Sequence, residues 1–228
     1  MIKIYKKLLK HFGPQGWWPI GGVYDPLRVS LGSMEKFEVA AGAILTQNSS
    51  WANAEKALGN LRSKGCLSPE KISAMDLRTL EKLVHPSGFF RQKARRLKNL
   101  SKYFMAVLAC RGVLSRKELL SLDGVGSETA DSILLYAFGE PYFIADAYTR
   151  RFASRTGVFK NGNYESVGNF FESNLPKDVG IYKEYHALIV ALAKKFCRKK
   201  PVCTGCPVRS CCSSRPSIKA SSGGKAAG

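Results

Sequence analysis

Apolar residues in this chain recur at the spacing of helix faces, whereas the alternation typical of β-strands is nearly absent. Segments with this spacing are 77–84, 97–108, 129–137 and 185–196. Glycine and proline separate such segments, as at Gly139-Glu140-Pro141. Asp76 is a predicted N-cap, and Ser115 with Glu118 forms a predicted capping box. The pattern predicts an all-α protein of about ten helices.

The chain carries a large excess of positive charge. Lys and Arg total 36 against 17 Asp and Glu, which gives a net charge of +19 on 228 residues. Such a charge predicts a polyanionic partner, most commonly nucleic acid. A membrane surface, or a basic surface that only maintains solubility, are the alternatives. No apolar run reaches the roughly 18–20 residues that span a bilayer, and residues 1–10 lack the apolar core of a signal peptide. We therefore expect a soluble, cytoplasmic protein without a membrane partner.

The positive charge is concentrated in one stretch. Nine Lys and Arg residues and no acid occur from Phe89 to Lys117, and Arg91 and Lys93 belong to this run. A run of one sign predicts contact with phosphates, and an ordinary solvated helix face is the alternative.

Cysteines crowd into the C-terminal part of the chain. Five of the seven lie between residues 197 and 212, and an odd total without a signal peptide argues against a disulfide framework. Thiolates at this spacing bind zinc or an iron–sulfur cluster. Cys197, Cys203 and Cys206 are three predicted ligands, and either Cys211 or Cys212 is the fourth. Free thiols in an unstructured tail are the alternative.

Two apolar helices flank a short glycine turn at Gly124-Val125-Gly126. We expect both glycines to adopt backbone angles that other residues avoid, and to let another group approach closely. The second helix begins near Ser127, and its first amides are suited to binding a phosphate without reading a base. Thr129 is expected to pack within the turn.

The segment 122–130, Leu-Asp-Gly-Val-Gly-Ser-Glu-Thr-Ala, resembles the helix-hairpin-helix of the endonuclease III family of DNA glycosylases, here at about residues 119–138. The resemblance continues in family order over residues 35–212. It implies that Asp146 is the catalytic aspartate and that Gln47, next to Asn48, fills the gap left by a flipped base. It also implies a 4Fe-4S cluster. The family spacing between Cys206 and Cys212 favours Cys212 as the fourth ligand, although the gap from Cys197 to Cys203 is one residue shorter than usual.

One position departs from the bifunctional members of that family. They carry a lysine that attacks the sugar, and Glu128 stands at this position. A carboxylate cannot form a Schiff base, so the resemblance implies a monofunctional enzyme. Glu128 either lines the substrate pocket or faces solvent.

A narrower resemblance, to the 3-methyladenine DNA glycosylases, lies in Trp17-Trp18-Pro19 and in Trp51. It implies a pocket that stacks an alkylated purine between aromatic rings, and ring faces suit the positive charge of such a base. Core tryptophans are the alternative. His11, His85 and His186 show no ligand spacing, which favours structural roles.

The sequence therefore predicts a monofunctional glycosylase for alkylated purines, in which Asp146 stabilises the cationic sugar and accepts a proton from water. A bifunctional glycosylase/lyase for oxidised pyrimidines and a non-catalytic, structure-specific DNA binder are the alternatives.

The resemblance also implies an architecture. We expect a helical barrel domain over 33–139, a second domain formed by 1–32 with 140–212 that carries the cluster, and a disordered tail over 213–228. The expected partner is double-stranded DNA, bound by a monomer associated with the nucleoid.

Overall fold

Eleven α-helices make up most of the residues described by the computed structural model, which are 1–25, 30–109 and 114–214. The helices are α1 Ile2–Phe12, α2 Ser33–Leu45, α3 Trp51–Ser63, α4 Pro69–Ala74, α5 Leu77–Val84, α6 Phe90–Ala109, α7 Arg116–Ser121, α8 Ser127–Ile133, α9 Ala147–Thr156, α10 Tyr164–Ser173 and α11 Val179–Lys195. A π-helical turn, Leu134–Phe138, extends α8. No strand occurs within the described ranges, and the predicted all-α fold is confirmed. Residues 215–228 of the predicted tail lie outside those ranges.

Side-chain caps fix several helix starts where the sequence predicts them. Asp76 accepts a hydrogen bond from the Thr79 amide at 2.9 Å and begins α5. The Ser115 hydroxyl accepts from the Glu118 amide and begins α7. Each cap satisfies an amide that would otherwise lack a partner within the helix. These local contacts set the directions in which α5 and α7 leave their turns.

The buried apolar side chains form two clusters. The first is formed mainly by the helices from α2 through α8. The second is formed mainly by α1, the π-helical turn and the helices from α9 through α11. Trp18 and Phe138 pack against both clusters, and therefore lie along the seam between them. The division into two domains, at the boundaries given above, stays a prediction.

Lys93 on α6 points into the protein rather than into solvent. Its side chain is 1% exposed, and its Nζ donates to the carbonyl oxygens of Leu45 at 2.8 Å and Ser87 at 2.7 Å. The prediction that Lys93 contacts DNA is therefore wrong, because this lysine stands on the apolar side of the helix and satisfies the carbonyl at the end of α2. Arg91 on the same helix is exposed, and its contact with DNA stays a prediction.

None of the helices within the described ranges is long and apolar enough to cross a membrane.

Candidate active site

A cleft of about 610 Å³ opens along the seam between the two clusters. Six of the residues singled out in the sequence line it, and they come from four separate parts of the chain: Trp17, Trp18, Asn48, Trp51, Glu128 and Asp146. Pro19 and Gln47 do not line the cleft in the described structure. Helix packing thus brings the predicted aromatic and acidic groups into one concave site.

Three tryptophans form the aromatic wall of the cleft. Their ring centroids lie 5.4 Å apart for Trp17 and Trp18, 4.8 Å for Trp17 and Trp51, and 5.1 Å for Trp18 and Trp51, all edge to face. Gly42 of α2 makes room for Trp18, because a Cβ at Gly42 would lie 2.7 Å from Cζ2 of the indole. Edge-to-face pairs stabilise one another and fix the ring planes. The wall is therefore held in a defined shape by its own contacts.

Asp146 lies at the start of α9 and serves as its N-cap. Its Oδ1 accepts the Thr149 amide at 2.7 Å, and its Oδ2 lies 3.5 Å from Nε2 of His186. Burial alone would raise the pKa of this carboxyl, but the contacts with His186 and Thr149 outweigh burial and lower the pKa below its ordinary value. The site therefore holds an ionised carboxylate, 8% exposed, on a rigid helix start.

A histidine and a tyrosine that sequence patterns did not single out stand behind Asp146. His186 of α11 lines the cleft, and its Nδ1 lies 2.9 Å from the Tyr136 hydroxyl. Tyr136 also lines the cleft, and its ring lies 5.3 Å from that of Trp18. Fifty residues separate Tyr136 from His186, so no local spacing could pair them.

Glu128 lies in the first turn of α8, with its carboxylate at the cleft. Its pKa is raised above the ordinary value, first by desolvation and then by the negative charge of Asp146. Lys194 of α11 is the one lysine among the described residues that line this cleft. A carboxylate, not an amine, thus lines the cleft at position 128.

The turn between α7 and α8 has two glycines with different backbones. Gly124 has φ +74°, and a Cβ there would overlap the Arg96 side chain at 1.9 Å from Nε. Gly126 has φ −90° and ψ 178°, so the expectation of unusual backbone angles is wrong for this residue. Only Gly124 requires glycine for its conformation, whereas Gly126 leaves open space outside the first turn of α8.

The residues predicted beside these glycines are tied into the protein. Val125 and Thr129 are buried, and the Ser127 hydroxyl donates to Glu165 at 2.7 Å. Glu165 also pairs with Arg116 at 2.9 Å, which links the start of α7 to α10. These contacts hold the turn in place, and DNA contact at the turn stays a prediction.

Gln47 is held against this turn. Its Nε2 donates to the Gly124 carbonyl at 2.8 Å and to the Thr129 hydroxyl at 2.9 Å, and its Oε1 accepts from Arg96 at 2.7 Å. Filling a gap in DNA would require Gln47 to give up these bonds. Asn48, the next residue, is exposed, has φ 49° and lines the cleft.

Four of the five C-terminal cysteines surround one small cavity of about 40 Å³. They are Cys197, Cys203, Cys206 and Cys212. Cys211 is not among the residues lining it, and Nζ of Lys7 lies 3.4 Å from its Sγ. Desolvation raises the pKa of the Cys206 thiol, and the other three thiols of the cavity raise it further. No set of His, Cys, Asp and Glu in the described ranges is already arranged around a single ion, but the four thiols that share this cavity match the donor set of an iron–sulfur cluster.

Comparison with known proteins adds a family to this geometry. The family described as "HhH-GPD superfamily base excision DNA repair protein" matches residues 41–177, which is more than half of the chain. A protein of Methanocaldococcus jannaschii named "Putative DNA repair glycosylase MJ1434" is 46% identical over 225 residues, which cover 94% of this chain and 96% of the relative.

Two solved structures are similar over most of the chain. A 3-methyladenine DNA glycosylase of Helicobacter pylori bound to 1,N6-ethenoadenine has 27% identity and a TM-score of 0.68, covering 85% of this chain and 95% of that one. A trapped endonuclease III–DNA covalent intermediate has a TM-score of 0.75 over 93% of this chain and 94% of that one, and at 23% identity it supports the fold alone. With its matched segment, its helical fold and the cleft at its seam, the chain belongs to the HhH-GPD superfamily of base excision DNA repair proteins.

Proposed function

We propose that this DNA glycosylase is monofunctional and removes alkylated purines of the 3-methyladenine type, leaving an abasic site. The observation that carries the proposal is the joint presence of a three-tryptophan wall and an ionised aspartate in one cleft. The tryptophans bind the base, and the aspartate provides the negative charge that removal of the base requires.

The chemistry of the wall favours a cationic purine. An alkylated purine carries positive charge, and electron-rich indole faces attract a cation within about 6 Å of a ring. Glu128 and Asp146 add negative charge to the same cleft. The H. pylori enzyme, which is 27% identical, is named as a 3-methyladenine DNA glycosylase and binds an adduct of adenine. These observations support an alkylated purine as the substrate class.

The proposed reaction breaks the bond between C1′ of the sugar and the base nitrogen, and the bonding electron pair leaves with the base. A cationic base departs as a neutral molecule, so little acid assistance is needed. Asp146 stabilises the cationic sugar by its charge. Water then adds its oxygen to C1′, and Asp146 accepts the released proton. The target base must first leave the duplex, which costs a few kcal/mol.

The proposed lack of lyase activity is supported by Glu128. Strand cleavage by the bifunctional route requires an amine that attacks C1′ and forms a Schiff base. Glu128 cannot do so, and Lys194 stands exposed at the edge of the cleft. A glycosylase/lyase for oxidised pyrimidines therefore remains the alternative, with Lys194 as the residue to test.

We also propose that a monomer binds double-stranded DNA through the turn at Gly124–Gly126 and through Arg91, and so associates with the nucleoid. The net charge of +19 and the exposed Arg91 support this assignment. In this proposal Gln47 leaves its bonds to the turn and enters the duplex beside Asn48.

The four cavity thiols are proposed to hold a 4Fe-4S cluster. Cys197, Cys203, Cys206 and Cys212 would be its ligands, because Cys211 faces Lys7 instead. Such a cluster would supply structural cross-linking of the basic loop between Cys197 and Cys206, with no redox step on the base. The Arg155 guanidinium, which donates to the Cys197 sulfur at 3.3 Å and to the Arg198 carbonyl at 2.6 Å, already orders this loop.

The test is base release from a panel of duplexes that carry an alkylated purine, an oxidised pyrimidine, a deaminated base or a mismatched thymine. Products are analysed with and without alkali, and borohydride is added in a parallel reaction. We expect release from the alkylated duplex, strand breaks only after alkali and no trapped adduct. Breaks without alkali, together with a trapped adduct, would support the glycosylase/lyase instead. Binding without any base release would favour the non-catalytic DNA binder.

A further inference from the structure

We propose that His186, itself held by Tyr136, is a positioning residue that orients the Asp146 carboxylate for base release. This inference rests on the proposed function, in which Asp146 acts on the sugar. It concerns a histidine that neither the sequence pattern nor the similarity to known proteins assigns to the site.

The first observation is the way in which the two oxygens of Asp146 are used. Oδ1 accepts the Thr149 amide at 2.7 Å, which fixes one end of the carboxylate to α9. Oδ2 lies 3.5 Å from Nε2 of His186, and both residues line the cleft. Rotation of the carboxylate is thus restrained by a hydrogen bond at one oxygen and by the neighbouring imidazole at the other.

The second observation is that Nε2 of His186 is buried and makes no hydrogen bond in the described structure. A buried polar atom without a partner is unfavourable, and most such atoms are paired. Hydrogen bonds of catalytic groups are often long in the free enzyme and shorten when substrate binds. Oδ2 of Asp146 lies 3.5 Å from this nitrogen, and a small movement brings the two atoms into hydrogen-bond range.

The third observation is the support on the far side of the ring. Nδ1 of His186 lies 2.9 Å from the Tyr136 hydroxyl, and that hydroxyl also lies 3.4 Å from the Lys183 carbonyl. The hydroxyl can donate to a neutral imidazole, or donate to the carbonyl while accepting from a charged one. Tyr136 can therefore hold the ring in either protonation state, with Nε2–H directed at Asp146.

The electrostatic effect has a defined sign. Contact with His186 lowers the pKa of Asp146 against the opposing effect of burial. Other charged or titratable groups around the pair are Glu128 of α8, Tyr148 and Arg150 of α9, and Lys183, Glu184 and Lys194 of α11. These groups are unchanged in a His186 variant, so the difference between the variant and the wild type isolates the imidazole.

The test compares the wild-type protein with His186→Gln, Tyr136→Phe and the control His11→Gln. His11 lies at the exposed end of α1 and does not line the cleft. Gln can still donate a hydrogen bond but carries no charge, whereas Phe removes only the hydroxyl behind the ring. Two readouts are followed in the full-length protein. One is the pH titration of the Asp146 side-chain carboxyl by 13C NMR, and the other is the single-turnover rate of base release as a function of pH.

We expect the carboxyl titration of Asp146 to move to higher pH in His186→Gln, and less in Tyr136→Phe, while His11→Gln leaves it unchanged. The release rate requires an ionised Asp146, so its acidic limb moves to higher pH in step. At neutral pH the carboxylate stays ionised in both variants, so the fall in rate reports its lost orientation: about tenfold in His186→Gln and several-fold in Tyr136→Phe, with DNA affinity retained.

An unchanged Asp146 titration in folded His186→Gln would overturn the proposal, and so would an unchanged acidic limb. If His186→Gln does not fold, an unchanged rate in Tyr136→Phe would overturn it. The NMR titration needs no enzymatic activity. Absence of base release by the wild-type protein would therefore contradict the proposed function, while the coupling between His186 and Asp146 would still be measured.

Discussion

At the scale of single residues, Lys93 is a lysine whose side chain is buried in the protein interior. Burial, and then the nearby charge of Arg96, lower its pKa to about 8. The sequence places Lys93 in a basic run, but charge counting does not tell which side of α6 a residue faces. The apolar neighbours Ala94 and Leu97 indicate that side only once the packing of α6 against α4 and α5 is known.

This burial predicts a pH-dependent contribution to stability. Between about pH 8 and the ordinary lysine pKa near 10.4, the unfolded chain binds more protons at Lys93 than the folded chain. The free energy of unfolding should therefore gain a favourable contribution from Lys93 as pH rises through this range. Chemical denaturation of the wild type and of Lys93→Met, at pH 7.5 and pH 10, measures it.

The wild type should gain stability relative to Lys93→Met between the two pH values, by an amount on the order of 1.4 kcal/mol per unit of pKa shift. A constant difference between the two proteins would contradict the assignment.

The candidate site was only partly predictable at this scale. Asp146 and the three tryptophans belong to recognisable segments, and all four line the cleft. His186 and Tyr136 come together only because α11 packs on the π-helical turn, which is a tertiary contact. Gln47 was recognised from its segment, but its bonds to Gly124 and Arg96 depend on the packing of three helices.

At the scale of elements, the turn between α7 and α8 contains two glycines that we expect to affect different properties, Gly124 the stability of the protein and Gly126 its binding to DNA. Gly124→Ala forces a Cβ into a left-handed backbone and against Arg96. Gly126→Ala meets no atom within 4 Å and keeps an ordinary backbone. The two substitutions are therefore a matched pair within one turn.

We expect Gly124→Ala to lose roughly 1–3 kcal/mol of unfolding free energy, whereas Gly126→Ala stays within about 0.5 kcal/mol of the wild type. Gly126→Ala should instead weaken DNA binding, because its methyl group occupies the space that a phosphate would approach. Thermal denaturation and fluorescence anisotropy distinguish the two effects. Equal stability of both variants would contradict the geometry described for Gly124.

The cysteine loop gives a second prediction at this scale. Cys212 shares a cavity with three other thiols, whereas Cys211 faces Lys7. Cys212→Ser should lose the brown colour and the iron of a cluster, whereas Cys211→Ser should keep both. Visible absorption and iron analysis of the purified variants measure this. A colourless wild-type protein that contains zinc would contradict the cluster and assign a zinc site to these thiols.

Helix starts were the most predictable elements because their signals are local. Asp76 and Ser115 bond to amides three residues away, and the sequence contains both partners. The cysteine outside the proposed ligand set, Cys211, was harder to identify from the sequence. Spacing favoured Cys212, but only the packing of Lys7 from α1 shows where Cys211 points.

At the scale of the whole molecule, two apolar clusters meet at a seam that carries the site. The sequence predicted the helical class because its spacing is repeated along the chain. The depth of the cleft could not be predicted, since it depends on how Trp18 fits against Gly42 and Tyr136 between the clusters.

The net charge of +19 predicts a strong dependence of DNA binding on salt. For duplex DNA, the slope of log K against log salt changes by about 0.9 for each phosphate contact. Arg91→Ala should reduce that slope by about one. Lys177→Ala should leave the slope unchanged, because Lys177 precedes α11 and lies at the opposite end of this helix from Lys194. Binding isotherms from 50 to 300 mM salt test this. Equal slopes for both variants would exclude Arg91 from the interface.

The central claim is that Asp146, in the tryptophan-lined cleft, drives the release of a base. The most direct measurement is the single-turnover rate of Asp146→Asn on an alkylated duplex, compared with Asp76→Asn. Both aspartates are N-caps, and Asn caps a helix nearly as well as Asp, so the pair separates the carboxylate charge from the cap. We predict that Asp146→Asn stays folded and binds DNA but releases the base at least about 10²-fold more slowly, whereas Asp76→Asn keeps the wild-type rate. Full base release by Asp146→Asn would contradict the account.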